Sequence, residues 1–91
     1  MDTVKTDLTS LPNIGKTIAD LLMQAGITTA AQLKATGSEK AFTRICAIDS
    51  EACINKLCAL EGAIQGIRWH NLSPDKKREL KEIFALVKGS C

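Results

Sequence analysis

Three equally spaced glycines are the feature that most constrains the fold of this chain. Gly15, Gly26 and Gly37 follow one another at intervals of eleven residues. Apolar residues between the first two glycines recur at the spacing of one helical face, at Ile18, Leu21, Leu22 and Ala25. Gly26 suits the left-handed conformation that ends many helices, because glycine has no Cβ to clash there. The spacing therefore predicts short helices that begin or end at glycine.

Hydrogen-bonding side chains predict where four more helices begin. A Ser, Thr, Asp or Asn residue before a helix accepts hydrogen bonds from backbone amides that the first turn leaves without partners. Such residues stand at Thr29, with Gln32 completing a capping box, at Ser38, at Asp49 or Ser50, and at Ser73, which precedes Pro74. The second helix is predicted to end at Gly37 and the last at Gly89.

The remaining apolar residues fall on one face of each predicted helix. The inward faces are Ala41, Phe42, Ile45 and Cys46 on the third helix, Ile54, Leu57, Cys58, Leu60, Ile64 and Ile67 on the fourth, and Leu80, Ile83, Phe84 and Val87 on the last. The fourth helix is apolar most of the way round and is predicted to be the central, most buried one. No segment alternates as a strand would. We therefore expect an all-α fold, a compact five-helix single domain over residues 1–91 with its core at about 8–87.

Composition supports this fold and excludes several classes of protein. Only 3% of the residues are aromatic, which suits packed helices better than a sheet, and 45% are apolar, which argues against disorder. A net charge of +2 indicates no particular class of partner. No apolar run reaches about 18 residues, and residues 1–5 lack the features of a signal peptide. We expect a cytoplasmic protein that contacts no membrane.

The titratable residues form no recognisable catalytic or metal-binding pattern. Cys46, Cys53, Cys58 and Cys91 form no Cys-x-x-Cys pair, and the single histidine, His70, is not at metal-ligand spacing from them. In a reducing compartment the cysteines are expected to be small buried side chains, with Cys91 in a frayed tail. We expect a protein that is not an enzyme and that uses no metal, cofactor or small-molecule substrate.

The segment from Ser10 to Lys16 is the one motif with a chemical implication. It predicts a turn in which Pro12 fixes the backbone, Asn13 tolerates positive φ and Ile14 enters the core. The turn leads into a helix, whose first amides and positive end can bind a phosphate oxygen. The predicted phosphate-binding residues are Ile14, Gly15, Lys16 and Thr17, and the residues that shape the hairpin are Pro12 and Asn13.

This segment resembles a helix-hairpin-helix motif, which binds the nucleic-acid backbone without reading its sequence. The resemblance rests on Leu11–Gly15 followed by Ala19, Leu22 and Gly26. Together with residues 57–69, LCALEGAIQGIRW, the chain resembles more closely the C-terminal domain of the TfoX family over about residues 8–84. The resemblance implies a SAM/HhH-like helical fold and a link to regulators of bacterial competence, the uptake of DNA. We expect a stand-alone version of this domain.

Two positions depart from the usual hairpin pattern. Asn13 stands where glycine is common, and its side chain is predicted to crowd a phosphate that approaches the turn. The usual lysine corresponds to Thr17, so that the positive charge of Lys16 is displaced by one residue.

Residues outside the hairpin have structural and functional interpretations. Trp69 either covers the edge of the core, with its indole N–H bonded to a carbonyl, or contacts a partner. Glu61 is expected to pair with Arg68 or a backbone amide, because a buried carboxylate needs a partner. Gly62 and Gly66 indicate close packing against a neighbouring helix, with a homodimer seam as the alternative.

The densest basic cluster lies at the start of the last helix. Its members are Lys76, Lys77, Arg78 and Lys81, interleaved with Asp75, Glu79 and Glu82. This pattern favours a solvated face with an Arg78–Glu82 pair, and the alternative is contact with a phosphate next to one held by the hairpin.

Two functional hypotheses follow from the sequence. The first is a non-enzymatic accessory or regulatory domain that binds the DNA backbone through residues 11–17. The second is a protein–protein interaction module, a homodimer or an adaptor, that binds no nucleic acid. The hairpin could also simply join two helices. Converging cations near the hairpin favour the first hypothesis, and an exposed apolar patch favours the second.

Overall fold

The computed structural model describes residues 7–90, and the side chains of residues 7–89. Over this range the chain forms five α-helices: α1 (Lys16–Gln24), α2 (Ala30–Thr36), α3 (Ser38–Ile48), α4 (Ile54–Gln65) and α5 (Pro74–Ser90). Two short 3₁₀ turns, Leu8–Ser10 and Trp69–Asn71, precede α1 and α5. No strand occurs within residues 7–90, so the predicted all-α class is confirmed. The expectations for residues 1–5 and for Cys91 lie outside the described residues.

The connection from α1 to α2 forms as its local sequence predicts. Gly26 has φ +87°, and the amide of Ile27 donates to the carbonyl of Leu22 at 2.8 Å, which is the closing bond of a Schellman motif. Thr29 Oγ1 then accepts from the amide of Gln32 at 3.1 Å and caps α2. Both predicted helix boundaries are confirmed.

The predicted cap of α3 is wrong. Gly37, with φ +88°, precedes the helix and provides no side-chain cap, and Ser38 is its first residue. The Ser38 hydroxyl instead donates to the Glu61 carboxylate on α4 at 2.7 Å. Glu61, which is distant in sequence, therefore binds the Ser38 hydroxyl that would otherwise bond to its own helix.

The predicted start of α4 is also wrong. The chain continues past Asp49 and Ser50, and α4 begins only after Cys53, whose side chain makes no capping bond. Asp49 Oδ1 accepts from the amide of Glu51 at 3.0 Å. Its side chain thus stabilises a local turn after α3, which competes with helix capping.

Helix α4 lies at the centre of the core, as predicted. It packs against α2, α3, α5 and the second 3₁₀ turn. Its buried residues are Leu57, Cys58, Ala59, Leu60, Gly62 and Ala63. The predicted inward residues of α3, Ala41, Phe42, Ile45 and Cys46, are all buried. The Phe42 and Phe84 rings meet between α3 and α5, with their centroids 5.9 Å apart.

The exit from α4 determines the geometry of the candidate site. Helix α4 ends at Gln65, because Gly66 adopts the left-handed conformation with φ +78°, and the amide of Ile67 donates to the carbonyl of Gly62 at 2.9 Å. Ile67, which was predicted to lie on the inward face of this helix, therefore lies beyond its end. Trp69 belongs to a separate 3₁₀ turn.

Helix α5 begins where its sequence predicts and extends beyond the predicted end. Ser73 Oγ accepts from the amide of Lys76 at 3.0 Å, and Pro74 is the first helical residue. The helix continues through Gly89 to Ser90. Glycine at the end of a helix without a following αL turn does not terminate it.

Candidate functional site

The turn before α1 has the predicted backbone shape. Asn13 has φ +70°, a left-handed conformation that asparagine tolerates better than most residues. Ile14 is 5% exposed and enters the core, and its amide donates to the carbonyl of Leu11 at 3.4 Å. The segment before the turn, Leu8–Ser10, is a 3₁₀ turn and not an α-helix, so the helix-hairpin-helix detail is not confirmed.

The Asn13 side chain joins this turn to the segment after α4. Its Nδ2 donates to the carbonyl of Ile67 at 3.0 Å and, at the longer distance of 3.5 Å, to the carbonyl of Ala59. Its Oδ1 accepts from the amide of Trp69 at 3.1 Å. The side chain therefore points into the protein. These backbone groups hold it on the inner side of the turn, and its predicted effect on an approaching phosphate stays a prediction.

Gly62 provides the space that this arrangement needs. A Cβ at this position would lie 2.5 Å from Asn13 Nδ2 and 2.8 Å from the carbonyl oxygen of Ile67. The predicted close packing at Gly62 is therefore present, but against the turn and the exit of α4, not against a neighbouring helix. Gly66 has open space around it and is required for its positive φ. The two motifs of the sequence, 11–15 and 57–69, thus meet at Asn13.

The start of α1 presents backbone amides to solvent. Gly15 precedes the helix in an extended conformation, with φ −93° and ψ −175°, and the first intrahelical bond runs from the amide of Ala19 to its carbonyl. Within the described residues, the amides of Gly15, Lys16 and Thr17 have no acceptor. All three residues are exposed. Ile14, the fourth predicted phosphate-binding residue, is already bonded to the turn, and its amide is the least available of the set.

Among the described residues, three positively charged side chains belong to, or contact, the two segments that Asn13 joins. Lys16 is exposed on the first turn of α1, and Arg68 is exposed between the two residues whose backbone bonds to Asn13. Lys77 reaches from α5 and donates to the carbonyl of His70 at 3.1 Å. Asp20 is exposed one turn further along α1 and limits the positive region to the start of that helix. Residues 11–17 and 67–70 together are called the hairpin end below.

Trp69 lies at the edge of the hairpin end. It is partly buried against the core, and its ring stacks on His70 with centroids 4.3 Å apart and an angle of 26° between planes. Within the described residues its indole N–H has no carbonyl acceptor, so the predicted hydrogen bond is not found. The predicted edge position is confirmed.

The basic cluster of α5 divides between two sides of the helix. Lys76 pairs with Glu79 at 2.6 Å, and that hydrogen bond raises the pKa of Lys76. Arg78 pairs with Asp75 at 3.3 Å, so the predicted pairing with Glu82 is wrong. Lys77 is the member of the cluster that contacts the hairpin end.

Glu61 has different partners from those predicted. Its carboxylate accepts from the Ser38 hydroxyl at 2.7 Å and from Gln65 Nε2 at 2.6 Å. Within the described residues Arg68 forms no ion pair with it. The carboxylate is therefore satisfied by two neutral donors, a structural arrangement that joins α3 to α4.

Two of the three cysteines in the described part of the chain are buried. Cys46 and Cys58 are buried, as predicted, whereas Cys53 is exposed before α4, contrary to prediction. Burial raises the pKa of the Cys58 thiol, although Lys77 and Lys81 act to lower it. Among the described residues no group of three His, Cys, Asp or Glu side chains is placed to hold a metal ion. No helix there is long and apolar enough to cross a membrane.

The turn before α1 was predicted from the sequence, but the groups that bond to its Asn13 side chain were not. The importance of Gly62 and of the backbone of Ile67 and Trp69 was not recognised. The available signal was Gly66, whose position after an apolar helical stretch predicts a helix end and a reversal of the chain.

Comparison with known proteins places the chain among related domains. The family model of the TfoX C-terminal domain matches residues 4–84. The crystal structure of an uncharacterized protein from Listeria monocytogenes, in a triclinic form, is 51% identical, covers 90% of this chain and 93% of its own, and superposes with a TM-score of 0.88. A tetragonal form of a protein of unknown function from Listeria monocytogenes is 51% identical, covers 88% of this chain and 99% of its own, and has a TM-score of 0.86. No curated protein matches the chain.

Proposed function

The chain belongs to the TfoX C-terminal domain family, and we propose that it is a non-catalytic accessory domain that binds the phosphate backbone of DNA through its hairpin end. The family takes its name from regulators of bacterial competence and is one of accessory, non-catalytic domains. Binding to the backbone would be independent of DNA sequence, as expected where contacts come from amides and cations and not from groups that read base edges.

One observation carries this proposal. The amides of Gly15, Lys16 and Thr17 lie together without acceptors in the described part of the chain. Lys16 is exposed on the same turn, and Arg68 is exposed in the segment whose backbone bonds to Asn13. Backbone amides at a helix start and nearby cations are the two elements from which phosphate sites are built. The Asn13 side chain points inward, and Gly15 has no Cβ. A phosphate oxygen can therefore approach the backbone of Gly15 from the outer side of the turn.

A protein partner at the same end is the second candidate. The observation that favours it is the partly exposed Trp69 ring, stacked on His70, since tryptophan is enriched among residues that anchor protein interfaces. In that case the domain is an adaptor or a homodimer, and its affinity for the partner depends on Trp69 more than on Lys16.

Fluorescence anisotropy with labelled duplex DNA separates the two candidates. We expect the wild type to bind at 50 mM salt and, if three phosphates are neutralised, to lose roughly 40-fold in affinity at 200 mM, since the slope is about −0.9 per contact. Lys16→Glu and Arg68→Glu should each weaken binding by tenfold or more, since each reverses a charge beside the amides. Trp69→Ala is included to detect a contribution from the ring.

Arg44→Glu is the matched control. It makes the same charge change at an exposed position on α3. Ser38, at the start of α3, contacts Glu61 near the end of α4. Arg44 therefore lies toward the start of α4, away from the hairpin end. If Arg44→Glu weakens DNA binding as much as Lys16→Glu does, only the net charge of the protein matters. No binding at 50 mM salt would leave the hairpin end a structural turn and would favour the protein-binding candidate.

A further inference from the structure

A cavity of about 620 Å³ opens between α3 and α5, on a part of the molecule that the hairpin end does not use. Its apolar lining comes from Ala47 and Cys46 on α3 and from Val87 and Leu86 on α5. Leu86 is a large aliphatic side chain with 71% of its surface exposed. Exposed leucines are common singly, but this one forms the wall of a concave surface.

A second cavity, of about 350 Å³, continues the first toward the start of α3. Both are lined by Glu39, which lies at their junction. The second cavity has charged walls, which include Lys40, Lys76, Glu61 and Glu79. The two cavities share Glu39 in their linings and are together called the α3–α5 cleft below. The cleft is apolar near Ala47 and Leu86 and charged near Glu39.

The charged part of the cleft has three carboxylates, at Glu39, Glu61 and Glu79, and two lysines, at Lys40 and Lys76. Glu79 is paired with Lys76, but the Glu61 carboxylate accepts only from a hydroxyl and an amide. The Glu39 carboxylate has no ion pair among the described residues, and the bond from Thr43 is to its backbone carbonyl. In the part of the chain that the structure describes, Glu39 is the one charged residue in the lining of the apolar cavity, and its carboxylate attracts a cationic side chain there.

We propose that the α3–α5 cleft binds an amphipathic helix of a protein partner, with an aliphatic side chain between Ala47 and Leu86 and a Lys or Arg at Glu39. Glu39 and Ala47 are eight residues apart on α3, which corresponds to about 12 Å along the helix axis. A partner helix that lies along α3 covers this distance in about seven or eight residues. Its recognition pattern is therefore an aliphatic residue and a basic residue at that spacing, on one face.

The test uses a display library as the probe. Alanine- and glutamine-rich helical peptides of about 18 residues, randomised on one face, are selected on the full chain and counter-selected on Leu86→Glu. We expect enrichment of peptides with Leu, Met or Phe seven or eight residues from Lys or Arg. A synthesised winner should lose at least tenfold in affinity for Leu86→Glu and for Glu39→Lys, and should bind Lys16→Glu as it binds the wild type.

Ile48→Glu is the matched control. Ile48 is a large aliphatic residue at the end of α3, 42% exposed, and it is not part of the cavity lining. Circular dichroism spectra equal to that of the wild type show that each variant is folded. The proposal is overturned if no peptide is enriched over Leu86→Glu or if acidic peptides are enriched. It is also overturned if sedimentation shows a dimer of the chain that Leu86→Glu dissociates, because a second copy would then be the occupant.

Discussion

Substitution of Asn13 measures how strongly the turn and the segment after α4 depend on one side chain. Asn13→Ala removes the donor to the Ile67 carbonyl and the acceptor for the Trp69 amide, both partly buried. Hydrogen bonds of this kind contribute about 1 kcal/mol each, so we expect a loss of about 2 kcal/mol from the two together. Alanine at φ +70° adds about 1 kcal/mol, because asparagine tolerates the left-handed conformation better than alanine does. The expected total is about 3 kcal/mol.

Asn13→Gly separates the two contributions. Glycine adopts the same φ without strain but makes neither hydrogen bond, so it should cost about 2 kcal/mol. Urea unfolding followed by tryptophan fluorescence measures both variants, because the chain has one tryptophan and no tyrosine. That tryptophan, Trp69, is itself bonded to Asn13, so its native emission should also shift to longer wavelength in both variants.

The same experiment can refute this reasoning. In a domain of this size, about 3 kcal/mol corresponds to a fall in Tm of roughly 12–20 °C. If Asn13→Ala lowers the free energy of unfolding by less than about 1 kcal/mol, the side chain does not hold the two segments together. If glycine and alanine cost the same, the left-handed backbone at this position is not maintained in solution.

Four further substitutions test the packing and the buried groups. Gly62→Ala should lower the free energy of unfolding by about 2 kcal/mol through overpacking. Combined with Asn13→Gly, which removes one of the two clashing atoms, it should cost less than the sum of the two single variants. Urea unfolding in a double-mutant cycle measures this coupling. Ser38→Ala should cost about 1 kcal/mol in urea unfolding, and Glu61→Gln less, because an amide oxygen still accepts from the hydroxyl. The pKa of the Cys58 thiol is raised above its ordinary 9.0, so the native state holds its proton longer than the unfolded chain and stability should fall as pH rises past about 9. Thermal unfolding of Cys58→Ala should show a shallower alkaline decline, and an unchanged slope would contradict the assignment.

Helix boundaries were predictable where their hydrogen bonds are local. Gly26, Thr29 and Ser73 act on residues within five positions, and each ends or begins a helix as predicted. Ser38 has the same capping chemistry and does not cap, because its hydroxyl bonds to Glu61, 23 residues away. A propensity for local bonds cannot reveal such a competitor, since the competitor is placed by tertiary packing.

The candidate site was predictable only in its backbone. Positive φ at Asn13 follows from residue type and turn context. Its partners do not, because the bonds to Ile67 and Trp69 span 54 and 56 residues. The position of Lys77 beside His70 depends on how α5 packs on α4, which periodicity does not specify.

The asparagine in the hairpin accounts for the presence of two motifs in one small domain. Glycine at position 13 would adopt the left-handed backbone equally well but would leave the carbonyl of Ile67 and the amide of Trp69 without partners. Asparagine supplies both the backbone conformation and the two bonds, and those bonds require the small Gly62 beside them. The orientation of the α1 amides is therefore set by residues about 50 positions away. The hairpin end is one structural unit made from both motifs, so under the proposed function Gly62→Ala should weaken DNA binding at the turn, although the buried Gly62 contacts no ligand.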